Sequence, residues 1–347
     1  MIGDVLQPGD QLAGYRIERH VAHGGMGEVY EATQLSLDRR VALKLIARRL
    51  GTDERFRKRF RREARTAASI DHSNILPVYE TGETPDGRLF LAMRFVDGPD
   101  LSSMLREQGP LDPGLTVAIL RQVADALDAA HQRGLVHRDV KPANVMLEAI
   151  ESGWHAYLTD FGLAKPNDDT SEHTASGEVL GTVDYMAPEQ INGAPLDSRA
   201  DVYSFGCMVY RCLTGELPYK RDTRTATLIA HANAPTPLPS ETIAGLPRPL
   251  DVVVQRAMEK DPEKRATSAG ALMRWAHTQL QTEAAGRPSV TDETPTEDTT
   301  LTRRMPAAQA AASQPARSRL VPLTRVMLHS AAYIPIWVAT YLLGRSL

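Results

Sequence analysis

Residues 137–144 read His-Arg-Asp-Val-Lys-Pro-Ala-Asn, and residues 160–162 read Asp-Phe-Gly. Two acids, a lysine and an asparagine are thus concentrated in short polar turns between apolar runs. Residues 145–147 and 156–158 read as the two short strands of a hairpin. Asn144 then stands at the mouth of one strand and Asp160 at the end of the other, so both face one cleft. Each offers an oxygen to a hard cation, with Asp139 just before them on the same turn. Mg²⁺ takes such ligands sparingly and leaves its other positions to water and substrate phosphates.

Other stretches must position these groups. Residues 75–81 and 89–96 read as two strands, and residues 15–21 and 28–33 alternate as strands do. Between them lies Ala22-His23-Gly24-Gly25-Met26-Gly27, where glycines let backbone N–H groups approach phosphate oxygens. Taken alone, that stretch is equally an ordinary hairpin turn. Residues 41–45 form an apolar strand holding Lys44, and a lysine buried in a strand needs a carboxylate partner. Asp53 can cap a helix running to about Ser69, with Phe56 and Phe60 on its inward stripe. Glu63 lies seven residues past Phe56 and falls on the same face, so Glu63 and Lys44 are expected to pair. The outer face, with Arg55, Arg57, Lys58, Arg59, Arg61 and Arg62, reads as solvated, with docking or membrane contact the alternative.

With these residues in view, the chain resembles the bacterial Hanks-type (eukaryotic-like) serine/threonine protein kinases over roughly residues 10–280. A lone His-Arg-Asp is commonly a surface turn, whereas the eight-residue stretch with Asp-Phe-Gly at this separation is specific. The resemblance implies an α+β, two-lobed fold: a small antiparallel β-sheet lobe with one helix, residues 10–96, and a larger, mainly helical lobe, residues 97–281. It implies ATP and Mg²⁺, with Mn²⁺ as the other candidate metal. Lys44 would hold the α- and β-phosphates with Glu63 orienting it, Asn144 and Asp160 would ligate the metal, and Asp139 would accept or orient the substrate hydroxyl. Lys141 would neutralise charge on the transferring group, and Thr182 would bond Asp139 and Lys141.

The nucleotide would meet residues 22–27, with Val29 and Ala42 above the adenine and Met146 beneath it. Met93 would limit pocket depth, and Arg94, Phe95 and Val96 would form the hinge. The sequence departs from the family twice: Ala22 replaces the first glycine of Gly-x-Gly-x-x-Gly, which should weaken nucleotide binding modestly, and Arg94 stands where an acid is common. The hinge contacts are backbone groups, so the second change should leave ATP binding intact.

The resemblance also assigns structural and regulatory roles. Asp201 would anchor the catalytic-loop backbone, while Glu189 and Arg265 would fix the end of the activation segment. Arg138, next to Asp139, would pair with a phosphorylated activation loop. Among Thr170, Ser171, Thr174 and Ser176, the first choice for autophosphorylation is Thr174 and the second Ser176. Lys141 and Gly181-Thr182 favour serine/threonine over tyrosine as acceptor. A pseudokinase scaffold is the alternative, but Lys44, Asp139 and Asp160 are all in place.

Composition bounds the rest. The net charge of −3 supplies no basic field for nucleic acid, and ten histidines are scattered without ligand spacing. The two cysteines, Cys207 and Cys212, lie in an apolar helical segment and read as packing residues. Asp4, Asp10 and two glycines interrupt the first dozen residues, unlike a secretory signal. Residues 282–325 read as a disordered Thr/Pro/Ala-rich linker. Its threonines at 291, 294, 296, 299, 300 and 302 are interspersed with acids. They are either solvated chain or docking sites for phosphothreonine-reading domains. Residues 326–344 contain no formally charged residue and are long enough to span a bilayer. Arg317, Arg319 and Arg325 precede them and would keep the kinase on the cytoplasmic side of the cell membrane. His329, Ser330 and Pro335 dilute the segment, so an interfacial or docking helix stays open beside a true span. Expected partners are Ser/Thr-bearing protein substrates, with a second copy of the kinase domain and the membrane as further candidates.

Overall fold

The structure, a computed structural model, describes residues 5–161 and 183–286. Its N-terminal part is a sheet of β1 (Gln11–Leu12), β2 (Tyr15–Gly24), β3 (Gly27–Gln34), β4 (Arg39–Ile46), β5 (Val78–Glu83) and β6 (Leu89–Arg94). Their spatial order is β1-β2-β3-β4-β6-β5, with every neighbour pair antiparallel. The short α1 (Arg48–Gly51) leads into α2 (Glu54–Ala68), the one long helix of this lobe.

Strand alternation explains which side chain faces where. Val41, Leu43 and Leu45 of β4 pack with Tyr15, Ile17, Tyr30, Ala32 and Phe90 on one side of the sheet. Ala42 and Ile46 point to the other side, against Phe56, Phe60 and Ala64 of α2. Because side chains of a strand alternate, Lys44 shares that second side. Asp53 caps α2 by accepting from Arg55 N at 2.8 Å. Its buried positions, Phe56, Phe60, Glu63, Ala64 and Ala67, follow helical spacing and carry Glu63 inward.

The strand expected at 75–81 begins only at Val78. Pro77 has no N–H to donate to a ladder. The backbone here bonds to the second lobe instead, Leu76 N donating to Leu158 O at 2.9 Å and Leu158 N to Asn74 O at 2.8 Å, while the Ile75 side chain packs in the second lobe's core and that of Leu76 in the sheet lobe's. The strand expected to reach Val96 ends at Arg94, where the chain turns into the connection.

The second lobe holds α3 (Leu101–Gln108), α4 (Pro113–His131), the hairpin β7 (Val145–Ile150) and β8 (Gly153–Leu158), then α5 (Pro188–Ile191) and α6 (Ser198–Thr214). After these come α7 (Arg224–Asn233), α8 (Pro239–Thr242), α9 (Arg248–Ala257) and α10 (Ala269–Ala284). α4 starts at Pro113 after an Asp112 cap, and its stripe of Ile119, Val123, Leu127 and Ala130 joins one continuous core with α6, α9 and α10. Cys207 and Cys212 are buried in that core, where burial pushes their thiols up, Cys212 to about 12. Inert packing follows from that environment. Among the described residues no helix is long and apolar enough to cross a membrane; residues 326–344 lie outside them.

Candidate active site

Local backbone geometry builds the site first. Asp201, at the start of α6, accepts from His137 N and Arg138 N, both at 2.7 Å, and contacts His131 Nε2 at 2.8 Å. This buried carboxylate therefore fixes the turn that precedes Asp139. His137 donates from Nε2 to Thr159 O at 2.8 Å and accepts at Nδ1 from Asp139 N at 3.2 Å. That arrangement requires the neutral ring, and burial lowers its pKa accordingly. Its ring lies 4.7 Å from that of the buried Phe161, which locates Asp160 beside it.

Arg138 and Asp160 both adopt left-handed backbone, with φ of 65° and 62°. Such conformations cost on the order of 1–3 kcal/mol in non-glycine residues and persist where surroundings fix them. Here Asp201 fixes the first, while the Phe161 contact holds the residue after the second. The result is that both turns are tied to the buried His137 ring, one through Asp139 N and the other through Thr159 O.

Asp139 is nearly buried, and its Oδ2 lies 2.6 Å from Lys141 Nζ. Asn144 donates from Nδ2 to Asp139 O at 2.7 Å and Asp139 Oδ2 at 3.1 Å. With its nitrogen so engaged, Asn144 keeps Oδ1 as its acceptor. Across the cleft, Lys44 Nζ lies 2.8 Å from Asp160 Oδ1. Lysine and aspartate come from opposite lobes and meet in this contact. Asn144 and Asp160 supply two hard oxygens, and Asp160 Oδ1 is buried without an ideally aligned donor. Those donors suit a divalent cation that keeps water and phosphate in its remaining positions.

The expected pair of Lys44 with Glu63 is not formed. Lys44 is taken by Asp160, and the ion-pair partner of Glu63 is Arg138, whose guanidinium lies 4.0 Å from Oε1. Helical spacing carried Glu63 inward, but the height and rotation of α2 are set by its packing, which leaves Glu63 Oε2 buried without a hydrogen bond. Burial raises the pKa of Glu63 against the opposing pull of Arg138, Arg59 and Arg62.

The residues expected to face the nucleotide converge. Ala42, Met93 and Val96 lie in one buried cluster, with Val29 and Met146 packed against it. Ala22 pairs with Val29, His23 with Glu28 and Gly24 with Gly27, leaving Gly25 and Met26 as a two-residue turn. Gly27 has φ of 139°, and a Cβ there would lie 1.9 Å from Leu45 O, so only glycine fits. Ala22 sits in the ladder two pairs before the turn and leaves it intact.

Farther out, Arg265 grips Glu189 with two bonds, Nη1 to Oε1 at 2.5 Å and Nη2 to Oε2 at 2.9 Å. Arg265 also donates to Glu259 O and Arg199 O, so the buried pair is hydrogen-bonded on all sides. The outer face of α2 carries a depression of about 450 Å³ lined by Lys58, Arg61, Arg62, Arg65 and Thr66. Gly181, Thr182 and the activation-loop residues Thr170, Ser171, Thr174 and Ser176 lie outside the described residues. Glu148 and Tyr157, which hold Arg94, had no signal of their own; the unusual arginine was the only hint.

A model of the protein kinase domain matches residues 15–277. The chain belongs to the protein kinase family. The serine/threonine-protein kinase PknE of Mycobacterium tuberculosis is 44% identical to this kinase domain over 274 residues, covering 79% of the chain and 47% of the relative. PknD, a serine/threonine-protein kinase of the same species, is 43% identical over 279 residues, covering 80% of the chain and 41% of the relative. The chain thus spans about half the length of the curated relatives it matches. Among solved structures, the PknI kinase domain of M. tuberculosis aligns with a TM-score of 0.63 at 33% identity, covering 79% of this chain and 99% of that one. Members of the family use ATP and a divalent metal.

Proposed function

We propose that this chain is an ATP-dependent serine/threonine protein kinase with Mg²⁺ as its metal. The observation that carries the reading is the 2.8 Å contact of Lys44 with Asp160 above Asp139, Lys141 and Asn144. Phosphoryl transfer asks little covalent chemistry of a protein, so placement and charge neutralisation dominate. Lys44 holds the α- and β-phosphates. Asn144 and Asp160 hold the metal, which when bound offsets negative charge on the phosphates. Asp139 orients the acceptor hydroxyl and takes its proton, while Lys141 faces the transferring group. Thr182 supports Asp139 and Lys141, and selects a serine or threonine acceptor together with the Lys141-Pro142-Ala143-Asn144 sequence.

Regulation follows the same chemistry. Phosphate on Thr174, with Ser176 second, pairs with Arg138 and orders the loop. Residues 10–281 form the kinase domain, residues 282–325 a linker offering phosphothreonines to reading domains, and residues 326–344 an anchor on the inner face of the cell membrane. A second copy of the domain serves as partner for loop phosphorylation. The test of acceptor class is to incubate the full chain with γ-labelled ATP, Mg²⁺ and peptides differing only in Ser, Thr or Tyr. Label on Ser and Thr peptides is expected. Label on Tyr alone would overturn the acceptor assignment, and none on any peptide, from a chain that binds nucleotide, would return it to a scaffold.

A further inference from the structure

Arg94 closes β6 at the point where the sheet gives way to the connection between the lobes. Its guanidinium Nη2 lies 3.1 and 3.0 Å from the two carboxylate oxygens of Glu148 on β7. Tyr157 of β8 donates its hydroxyl to Glu148 Oε2 at 2.9 Å, and the Arg94 guanidinium stands 5.0 Å from the Tyr157 ring centre. One carboxylate thus gathers a cation from the sheet lobe and a phenol from the helical lobe.

The neighbours of these residues are the nucleotide-facing ones. Met93 precedes Arg94 and pairs with Ala42 of β4, the upper side of the pocket. Tyr157 pairs with Met146, the lower side, and Glu148 lies two residues beyond Met146 on the same strand. Side chains two apart on a strand share a face. Residues 94–100 are strapped elsewhere as well. Leu147 N donates to Pro99 O at 2.9 Å, and a Cβ on Gly98 would lie 1.9 Å from Leu147 O. Arg40 pairs with Asp97 at 3.0 Å and covers the Phe95 ring. Arg40 binds the connection to the sheet and Pro99 binds it to the hairpin. Arg94 with Glu148 bridges the two directly.

We propose that Arg94, Glu148 and Tyr157 form an interlobe clasp that sets the separation of Ala42 and Met146, and hence how tightly a nucleotide base is held. They are positioning residues: they act through the pocket walls, not on the phosphates, and the assignment rests on the kinase reading above. The clasp also accounts for an arginine where the family commonly places an acid, because here the acid is supplied by Glu148.

The experiment uses the full chain and a fluorescent ADP analogue with Mg²⁺, together with KM for ATP and kcat. The variants are Arg94→Gln, Glu148→Gln, their double, and Tyr157→Phe, which removes one hydroxyl and little else. Each single variant of the ion pair should weaken nucleotide binding by about fivefold while kcat changes by less than about twofold, the signature of lost binding rather than lost transfer. The double variant should bind no worse than either single, because both remove one interaction. Tyr157→Phe should weaken binding less, with an unchanged melting temperature, and serves as the readout if the charge variants fold poorly. Wild-type-like binding in the singles, additive losses in the double, or a fall in kcat at constant KM would overturn the clasp. A wild-type chain that binds no Mg²⁺-nucleotide would remove the kinase reading, and the clasp with it.

Discussion

Glu63 Oε1 lies 4.0 Å from an Arg138 guanidinium nitrogen, while Lys44, the expected partner of Glu63, is held by Asp160 at 2.8 Å. The helix that carries Glu63 and the catalytic turn that carries Arg138 are thereby linked through charge. Glu63 is an acid held on an apolar face, with one oxygen lacking a hydrogen bond. Its raised pKa means that ionisation is disfavoured in the folded chain.

The sign of that shift gives a first prediction. A carboxyl whose folded pKa is raised contributes stability below its unfolded pKa and loses it as pH rises through the folded value. Near neutrality Glu63→Gln should therefore stabilise the fold by about 0.5–1 kcal/mol, with the gain vanishing in acid. The same variant should lower phosphoryl transfer at least about tenfold, because a neutral amide loses the charge that links α2 to Arg138 in the catalytic turn. Urea unfolding at two pH values beside a transfer assay checks both halves. Destabilisation at neutral pH with full activity would contradict the assignment.

Asp160→Asn should raise the Mg²⁺ concentration needed for half-maximal transfer by about tenfold or more, since one of two hard protein oxygens loses its charge. A metal titration after treatment with chelator measures this. An unchanged midpoint would show that Asp160 holds no metal.

Arg265→Leu leaves the Glu189 carboxylate buried and unpaired. The expected loss is about 3–5 kcal/mol, read as a lower urea midpoint with an unchanged slope. A loss below about 1 kcal/mol, the range of surface pairs, would mean that Glu189 finds water or another cation.

His231 is buried between α6 and α7, contacting Tyr203 Oη through Nδ1 at 3.0 Å. Burial first, and the Lys260 ammonium second, push its pKa down to about 4. A histidine with a depressed folded pKa contributes stability above its unfolded value near 6.5 and loses it as pH falls toward 4. His231→Asn should remove up to about 3 kcal/mol of that acid-side slope. Parallel stability curves for variant and wild type across this window would refute the assignment.

Legibility in the sequence followed distance along the chain. Asp139, Lys141 and Asn144 lie within one turn, and Asp160 closes the hairpin that begins after it, so local spacing sufficed to bring them together. The Asp53 cap and the inward stripe of α2 were equally local. The partner of Glu63 was not legible, because it depends on how α2 settles against the sheet and on the left-handed backbone of Arg138. Glu148 and Tyr157 escaped for a similar reason: the acid that answers Arg94 lies 54 residues downstream. Pro77 was readable as a strand breaker, yet the apolar Ile75 and Leu76 before it mimic a strand while the backbone there hydrogen-bonds to Leu158.

The most direct test of the whole account is the rate of γ-phosphoryl transfer to a serine/threonine protein substrate by the full chain and by Asp139→Asn, prepared in parallel. Asp139→Asn keeps the shape of the side chain and removes its capacity to take a proton. The wild type should transfer phosphate in a metal-dependent reaction, and the variant should fall by about a hundredfold or more while melting at the same temperature. Equal rates from the two proteins would contradict the assignment of this cleft as the site of catalysis.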